Sequence, residues 1–323
     1  MPRSAINQLV ENQTLEQSFQ AADKQLRVNR QGGKYLLLKL ADRSGTISAM
    51  VWNADERQFE SFDRGDYVSC KGRTQVHNGN LQLIVTDIRR LDAHEVDTSD
   101  FDRFDPSEAA KWSTKLDGIA HSIRNVHLRS ILMAFLDDEP FMTRFSVAAA
   151  AVNNHHAYPG GLLRHTVELM ELAALVGPRY PMIDTELLVT GAFLHDIGKV
   201  DEMSSGGEIS YTDRGQMIGH LVIGVQMLGE AIATINAQSP EPFPDDIRLH
   251  LEHMILSHHG LLEYGSPKVP LTMEAIALHH LDNMDAKLSA VASIIDSDIS
   301  ADGHWTNYNP SLGRKLWKPA RSS

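Results

Sequence analysis

The chain has 323 residues, 42% hydrophobic and 22% charged, which excludes a disordered tract and leaves room for two packed domains. A net charge of −12 disfavours a protein that coats nucleic acid with its whole surface, because affinity for phosphate backbones rests on clustered Lys and Arg. The single cysteine, Cys70, excludes an internal disulfide. The first residues lack an apolar signal core and no apolar run reaches the ~20 residues that span a bilayer, so a cytoplasmic protein away from membranes is expected.

Period-2 alternation dominates the N-terminal part. It predicts strands near 19–28, over 34–40, 46–52, 66–77 and 81–91, and a short helix over 54–61. Gln31-Gly32-Gly33, Asp42-Arg43-Ser44-Gly45, Asp63-Arg64-Gly65-Asp66 and Asn78-Gly79-Asn80 supply the turns, the Asn-Gly pair being a hairpin signal. Strand phase sets Leu36, Leu38 and Leu40 inward and turns Tyr35 and Lys39 outward. In the next strand Ile47, Ala49 and Val51 face inward, which leaves Ser48, Met50 and Trp52 outside. Arg27, Arg30 and Lys34 add charge at one rim of this face, with His77 and Asn78 at the other. Residues 15–92 hold 12 Lys/Arg against 10 Asp/Glu, whereas residues 93–110 hold one Arg against six acids and read as a solvated acidic linker.

Beyond the linker, apolar residues recur at three- and four-residue spacing. Helices are expected over 108–124, 127–136, 140–151, 161–176, 185–195, 216–237, 245–258 and 272–297, with Gly198 and Gly260 where helix-ending glycines would sit. Residues 304–323 form a tail with Trp305, Tyr308 and Trp317 among Lys and Arg, read either as an RNA-contacting arm or as a strap.

The most informative stretch is His195-Asp196-Ile197-Gly198-Lys199, which sets an imidazole and a carboxylate side by side with a lysine one short turn away. Four further candidate ligands, His165, His220, His258 and Asp282, lie on helical stretches. Imidazole with carboxylate suits Mn²⁺, Fe²⁺, Co²⁺, Mg²⁺ or Zn²⁺, and the lack of a thiolate argues against a structural zinc cage. A catalytic site follows, in which divalent metal activates water and clamps a phosphoryl group, and Lys199 neutralises a phosphate oxygen. Two choices stay open: His259 adjoins His258, and Asp285 lies one turn from Asp282.

The order His…His-Asp…His…His…Asp resembles the HD-domain metal-dependent phosphohydrolase superfamily. The resemblance implies that His165, His195, Asp196 and Asp282 hold one divalent cation, that Asp196 bridges, and that His220 and His258 complete a second position. Three strands, a helix and two strands resemble the OB-fold nucleic-acid-binding family, whose second and third strands form the ligand platform. That implies contacts to nucleic acid from Arg30, Lys34, Tyr35, Lys39 and Trp52, with the two aromatics stacking bases. The expected fold class is a small all-β OB barrel (1–92), then the acidic linker (93–110), an all-α HD helical bundle (111–303) and the tail (304–323).

The pairing of these domains, with Asn154-His155-His156-Ala157-Tyr158-Pro159-Gly160-Gly161-Leu162-Leu163-Arg164-His165-Thr166 and with Ser257-His258-His259-Gly260 ahead of Glu263-Tyr264-Gly265-Ser266-Pro267, resembles the YhaM type of 3′-to-5′ exoribonuclease. The resemblance implies a metal-dependent exonuclease that acts on single-stranded RNA or DNA and releases nucleoside monophosphates. Two divalent metals would serve it, commonly Mn²⁺, with Asp196 and Lys199 as catalytic residues. Rival classes are an HD-domain nucleotide or cyclic-nucleotide phosphohydrolase, which needs no barrel, and a non-catalytic single-strand binder, which needs no metal set. Self-association into a homo-oligomer is left open.

Overall fold

The computed structural model describes residues 3–29, 32–77, 80–101, 106–151, 158–204, 209–297, 304–306, 308–310 and 312–318. The chain divides into two compact units, Met1–Arg103 with Val291–Ser323, and Phe104–Ala290.

In the first unit, β1 (Thr14–Val28), β2 (Lys34–Asp42) and β3 (Gly45–Trp52) are followed by a short helix α1 (Glu56–Glu60), then β4 (Tyr67–His77) and β5 (Asn80–Leu91). They close into a barrel in the order β1-β2-β3-β5-β4, antiparallel except for the β3–β5 pair. The expected strand phase holds: Leu36, Leu38, Leu40, Ile47, Ala49 and Val51 are all buried, together with Phe19, Val68, Cys70 and Leu83. Each buried leucine contributes ~1.5–3 kcal/mol, so a one-residue slip of β2 would turn three of them outward at once. That penalty fixes the register, and with it the outer row on which Tyr35 lies opposite Trp52. Asn78 and Gly79 lie outside the described residues, although His77 pairs with Asn80 across the predicted hairpin.

The described part of the acidic segment is largely exposed but anchored at Phe101. Phe101 is buried against the Tyr67 ring, with centroids 4.8 Å apart, and the Arg3 guanidinium sits 4.9 Å from the Phe101 ring centroid. Arg3 also pairs with Asp100 at 3.3 Å. One aromatic and one basic partner therefore hold the end of the segment on the barrel.

The second unit is helical: α2 (Pro106–Ser122), α3 (Val126–Leu136), α4 (Glu139–Val147), α5 (Gly161–Val176), α6 (Thr185–Leu194), α7 (Lys199–Glu202), α8 (Asp213–Ile218), α9 (His220–Gln238), α10 (Asp245–Ser257) and most of α11 (Met273–Ser297). Leu116, Leu128, Phe145, Leu163, Phe193 and Leu228 belong to one continuous core. The helix α9 is long and apolar enough to cross a membrane by length and composition alone, but it packs into this core through Leu228 and Ile232.

Two expectations need correction. The single helix expected over 216–237 is two, because Gly219, at φ 79 and ψ 153, breaks the helical path and lets α9 start afresh at His220. Gly198 does not end a helix in the left-handed conformation, as Gly260 does at φ +81. Gly198 is required instead by close approach, since a Cβ there would run into the His220 carbonyl and the Gly224 nitrogen.

Candidate metal centre and barrel face

Five helices deliver one cluster. His165 lies on the first turn and a half of α5, His195 and Asp196 directly follow α6, His220 opens α9, His258 directly follows α10, and Asp282 sits within α11. The structure brings all six predicted residues together. His165 Nε2 is 3.2 Å from His195 Nε2 and 3.3 Å from Asp282 Oδ1. Asp196 Oδ2 is 3.2 Å from His195 Nε2 and 3.8 Å from His165 Nε2. The other oxygen, Oδ1, is 3.5 Å from His220 Nε2 and 3.6 Å from His258 Nε2. Asp196 thus turns one oxygen to each of two groups of imidazoles.

Each ring is held from behind by a bond at Nδ1. His195 donates to Ala192 O at 2.7 Å and His258 to Ile255 O at 2.9 Å, so two helix-end carbonyls are satisfied by the residue that follows the helix. His220 donates to Glu202 Oε1 at 2.9 Å, and His165 bonds Asp285 Oδ2 at 3.1 Å. With Nδ1 engaged, Nε2 is the atom left to face the cluster. Asp285 therefore supports His165, while Asp282 faces the interior. His259 joins the cluster too: its ligand nitrogen groups with those of His220 and His258, and its Nδ1 donates to Tyr264 O at 3.0 Å. His279 donates from Nδ1 to His258 O at 2.8 Å. Sequence reasoning missed Glu202. Its only signal was its place three residues after Lys199, a spacing that charged residues on helix surfaces share.

Three carboxyl groups, Asp196, Asp282 and Glu202, act on one ammonium, Lys199, and Asp196 contacts it directly. Burial works against ionised Asp196, but Lys199, whose Nζ is 2.6 Å from Oδ2, and His195 hold it well below the usual carboxylate range. Lys199 is raised: burial opposes its charge and Asp196 outweighs burial. Asp282 is lowered, as the charges and bonds of His165 and His195 overcome burial. Burial disfavours a charged His165, yet Asp282 and Asp285 lift it to about 9. Burial pushes His258 down, and burial with the nearby His258 takes His259 to about 4, so both offer neutral rings at neutral pH. Asp196 Oδ1 and His220 Nε2 are buried and have no hydrogen-bond partner among the described residues. Such orphaned atoms are costly unless something polar reaches them. Imidazole nitrogens converging with carboxylate oxygens are the donor set of a borderline divalent cation, so the residues present fit a metal.

On the barrel, Trp52 is 51% exposed and its ring centroid lies 5.5 Å from that of Tyr35. Arg27 of β1 pairs in register with Tyr35, which gives an outer row Arg27–Tyr35–Trp52 across three strands. Lys39 is exposed on the same face of β2. The ammonium of Lys34 pairs with Glu56. Arg30 lies outside the described residues.

Residues 22–91 match the family model of the OB-fold nucleic acid binding domain, and residues 162–287 match that of the HD domain. HD domains are metal-dependent phosphohydrolase domains and bind divalent metals. Among solved structures, the second OB-fold domain of replication protein A from Methanococcus maripaludis is similar at 21% identity and TM-score 0.24, over 28% of this chain and 94% of that one. The Schizosaccharomyces pombe Pot1pC domain bound to single-stranded DNA is similar at 20% identity and TM-score 0.22, over 28% of this chain and 88% of that one. The chain is an N-terminal five-stranded OB-type barrel followed by a helical HD domain.

Proposed function

We propose that this chain is a metal-dependent phosphodiesterase that removes nucleotides from the 3′ end of single-stranded RNA, with single-stranded DNA as an alternative substrate, and releases nucleoside monophosphates. The observation that carries the reading is Asp196, a buried carboxylate with one oxygen toward His165 and His195 and the other toward His220 and His258. His165, His195, Asp196 and Asp282 would hold one divalent cation. His220, His258 and His259, with the second oxygen of Asp196, would hold another, and Mn²⁺ is the ion the family resemblance favours. A divalent cation supplies Lewis acidity toward a phosphoryl oxygen and makes water more acidic.

The protein's own groups do the rest. Glu202, Asp285 and the carbonyls of Ala192 and Ile255 fix ring orientation, so little reorganisation accompanies reaction. Lys199 holds an ammonium beside Asp196, where it offsets negative charge brought in by a phosphate. Burial of the cluster keeps out bulk water and strengthens these interactions. The Arg27–Tyr35–Trp52 row offers stacking and charge for a single strand, which suits an acidic chain that must concentrate positive potential locally.

The test is a 5′-labelled single-stranded RNA with a free or a blocked 3′ end, assayed with Mn²⁺ beside a panel of nucleotides and cyclic nucleotides, and repeated with chelator. Shortening from a free 3′ end with release of monophosphates is expected. Turnover of the small nucleotides without strand shortening would replace this reading by a nucleotide phosphohydrolase. Strand binding with no turnover of any substrate would replace it by a non-catalytic binder.

A further inference from the structure

The C-terminal tail carries a feature that neither the barrel nor the metal cluster uses. The described residues among 304–318 pair with one another as a hairpin. Thr306 N donates to Leu316 O at 2.9 Å, Lys318 N to His304 O at 2.7 Å and Asn309 N to Arg314 O at 3.0 Å, with Gly313 at φ 62 in the turn. Trp305 and Trp317 form an antiparallel bridge, and their ring centroids lie 5.1 Å apart, edge to face. His304 stacks on Trp317 at 4.6 Å with an interplanar angle of 13°. Thr306, next along from Trp305, is buried.

A hairpin that used its aromatics only for packing would hide them. Here Trp305 and Trp317 are each 54% exposed and Tyr308 59%. The charge is equally one-sided: residues 304–323 hold Arg314, Lys315, Lys318 and Arg321 and no acid, in a chain whose net charge is −12. Arg314 and Lys315 are exposed, and among the described residues no carboxylate pairs with either. Exposed π-faces interleaved with unneutralised cations match the two needs of a single nucleic-acid strand, stacking for its bases and charge for its phosphates. An acidic peptide would use the cations but leave the tryptophan faces without planar partners.

We propose that the Trp305–Trp317 hairpin is a second single-strand binding surface, separate from the Tyr35–Trp52 row, on which bases stack against the indoles while Arg314 and Lys315 meet phosphates. It builds on the nucleic-acid substrate proposed above. Binding is read here without turnover, so it stands or falls apart from the phosphodiesterase reading.

The experiment measures anisotropy of a fluorescein-labelled oligothymidylate of about 20 nucleotides, enough for more than one site, with the full chain in chelator. Trp305→Ala/Trp317→Ala should weaken binding by roughly 5- to 150-fold per aromatic removed. Trp305→Phe/Trp317→Phe keeps flat rings and the cross-strand pair, and should retain most of the affinity. Arg314→Gln/Lys315→Gln leaves the aromatics in place and should make the dependence of log Kd on log salt shallower by about 1.4, near 0.7 for each phosphate no longer neutralised. Wild-type binding by the Ala pair overturns the proposal. Equal losses in the Ala and Phe pairs with an unchanged salt slope in the Gln pair also overturn it, since the tryptophans would then only hold the hairpin. Capture of labelled polyglutamate with the same tryptophan dependence would reassign the surface to an acidic protein partner.

Discussion

Replacing Glu202 by Ala removes one oxygen that serves two donors, the His220 main-chain N–H and His220 Nδ1, each at 2.9 Å. Burial disfavours the ionised form of Glu202, but its bonds to His220 prevail and hold it below its usual range. A buried donor left without an acceptor costs ~1–3 kcal/mol, so the loss of both should lower unfolding free energy by about 2–6 kcal/mol. The ring also loses the partner that points Nε2 into the cluster, a change that typically weakens metal affinity by ~10–100-fold. Thermal melts with and without Mn²⁺ separate the two effects. At a concentration ~1,000 times the wild-type Kd, the ion stabilises wild type by ~4.1 kcal/mol and a hundredfold weaker variant by ~1.4 kcal/mol. Glu202→Ala should therefore melt lower without metal and also gain less from it. Glu202→Gln keeps an acceptor of the same shape, and should recover most of the metal-free stability with part of the metal gain. A folded Glu202→Ala protein with the full wild-type gain would refute the role given to this carboxylate.

Gly198→Ala should destabilise by ~1–3 kcal/mol in a denaturant melt, because the added methyl meets the His220 carbonyl; a neutral effect would mean that α7 and α9 part easily. Without metal His165 is protonated up to about 9. A cation that takes Nε2 must displace that proton, so affinity falls as pH drops below about 9, and calorimetry at pH 7 in two buffers should show release of about one proton. No release would mean that His165 is not a ligand. Removing Tyr35 and Trp52 together should weaken binding of long single strands by ~1–3 kcal/mol per stacked base while leaving hydrolysis of bis-p-nitrophenyl phosphate unchanged; equal losses on both substrates would assign the pair to barrel packing.

Period-2 alternation made the barrel legible, because Leu36, Leu38 and Leu40 can be buried together in one register alone. The candidate ligand positions came from the family resemblance, since spacing alone does not single them out, and Asp282 was separable from Asp285 only once the fold showed which faces His165 Nε2. Glu202 was not legible: a glutamate on a four-residue helix looks like any solvated charge until α9 lays His220 against it. The break at Gly219 was hidden because apolar spacing continues across it, and a sequence does not reveal a glycine's φ. Phe101 sits in a run of acids whose charge masks a single anchoring aromatic. The pairing of Lys34 with Glu56, which lies on another element, was invisible to local pattern.

Asp196 is the group that faces two sets of imidazoles, the arrangement on which the proposed metal centre rests. The most direct test of that role is the metal content of Asp196→Ala and Asp196→Asn, dialysed against Mn²⁺ and measured by elemental analysis beside circular dichroism and strand hydrolysis. Both variants should keep the helical spectrum, lose most bound Mn²⁺ and lose strand cleavage, since each imidazole group would lack the carboxylate oxygen that faces it. A folded Asp196→Ala protein that retains wild-type Mn²⁺ and wild-type cleavage would contradict it.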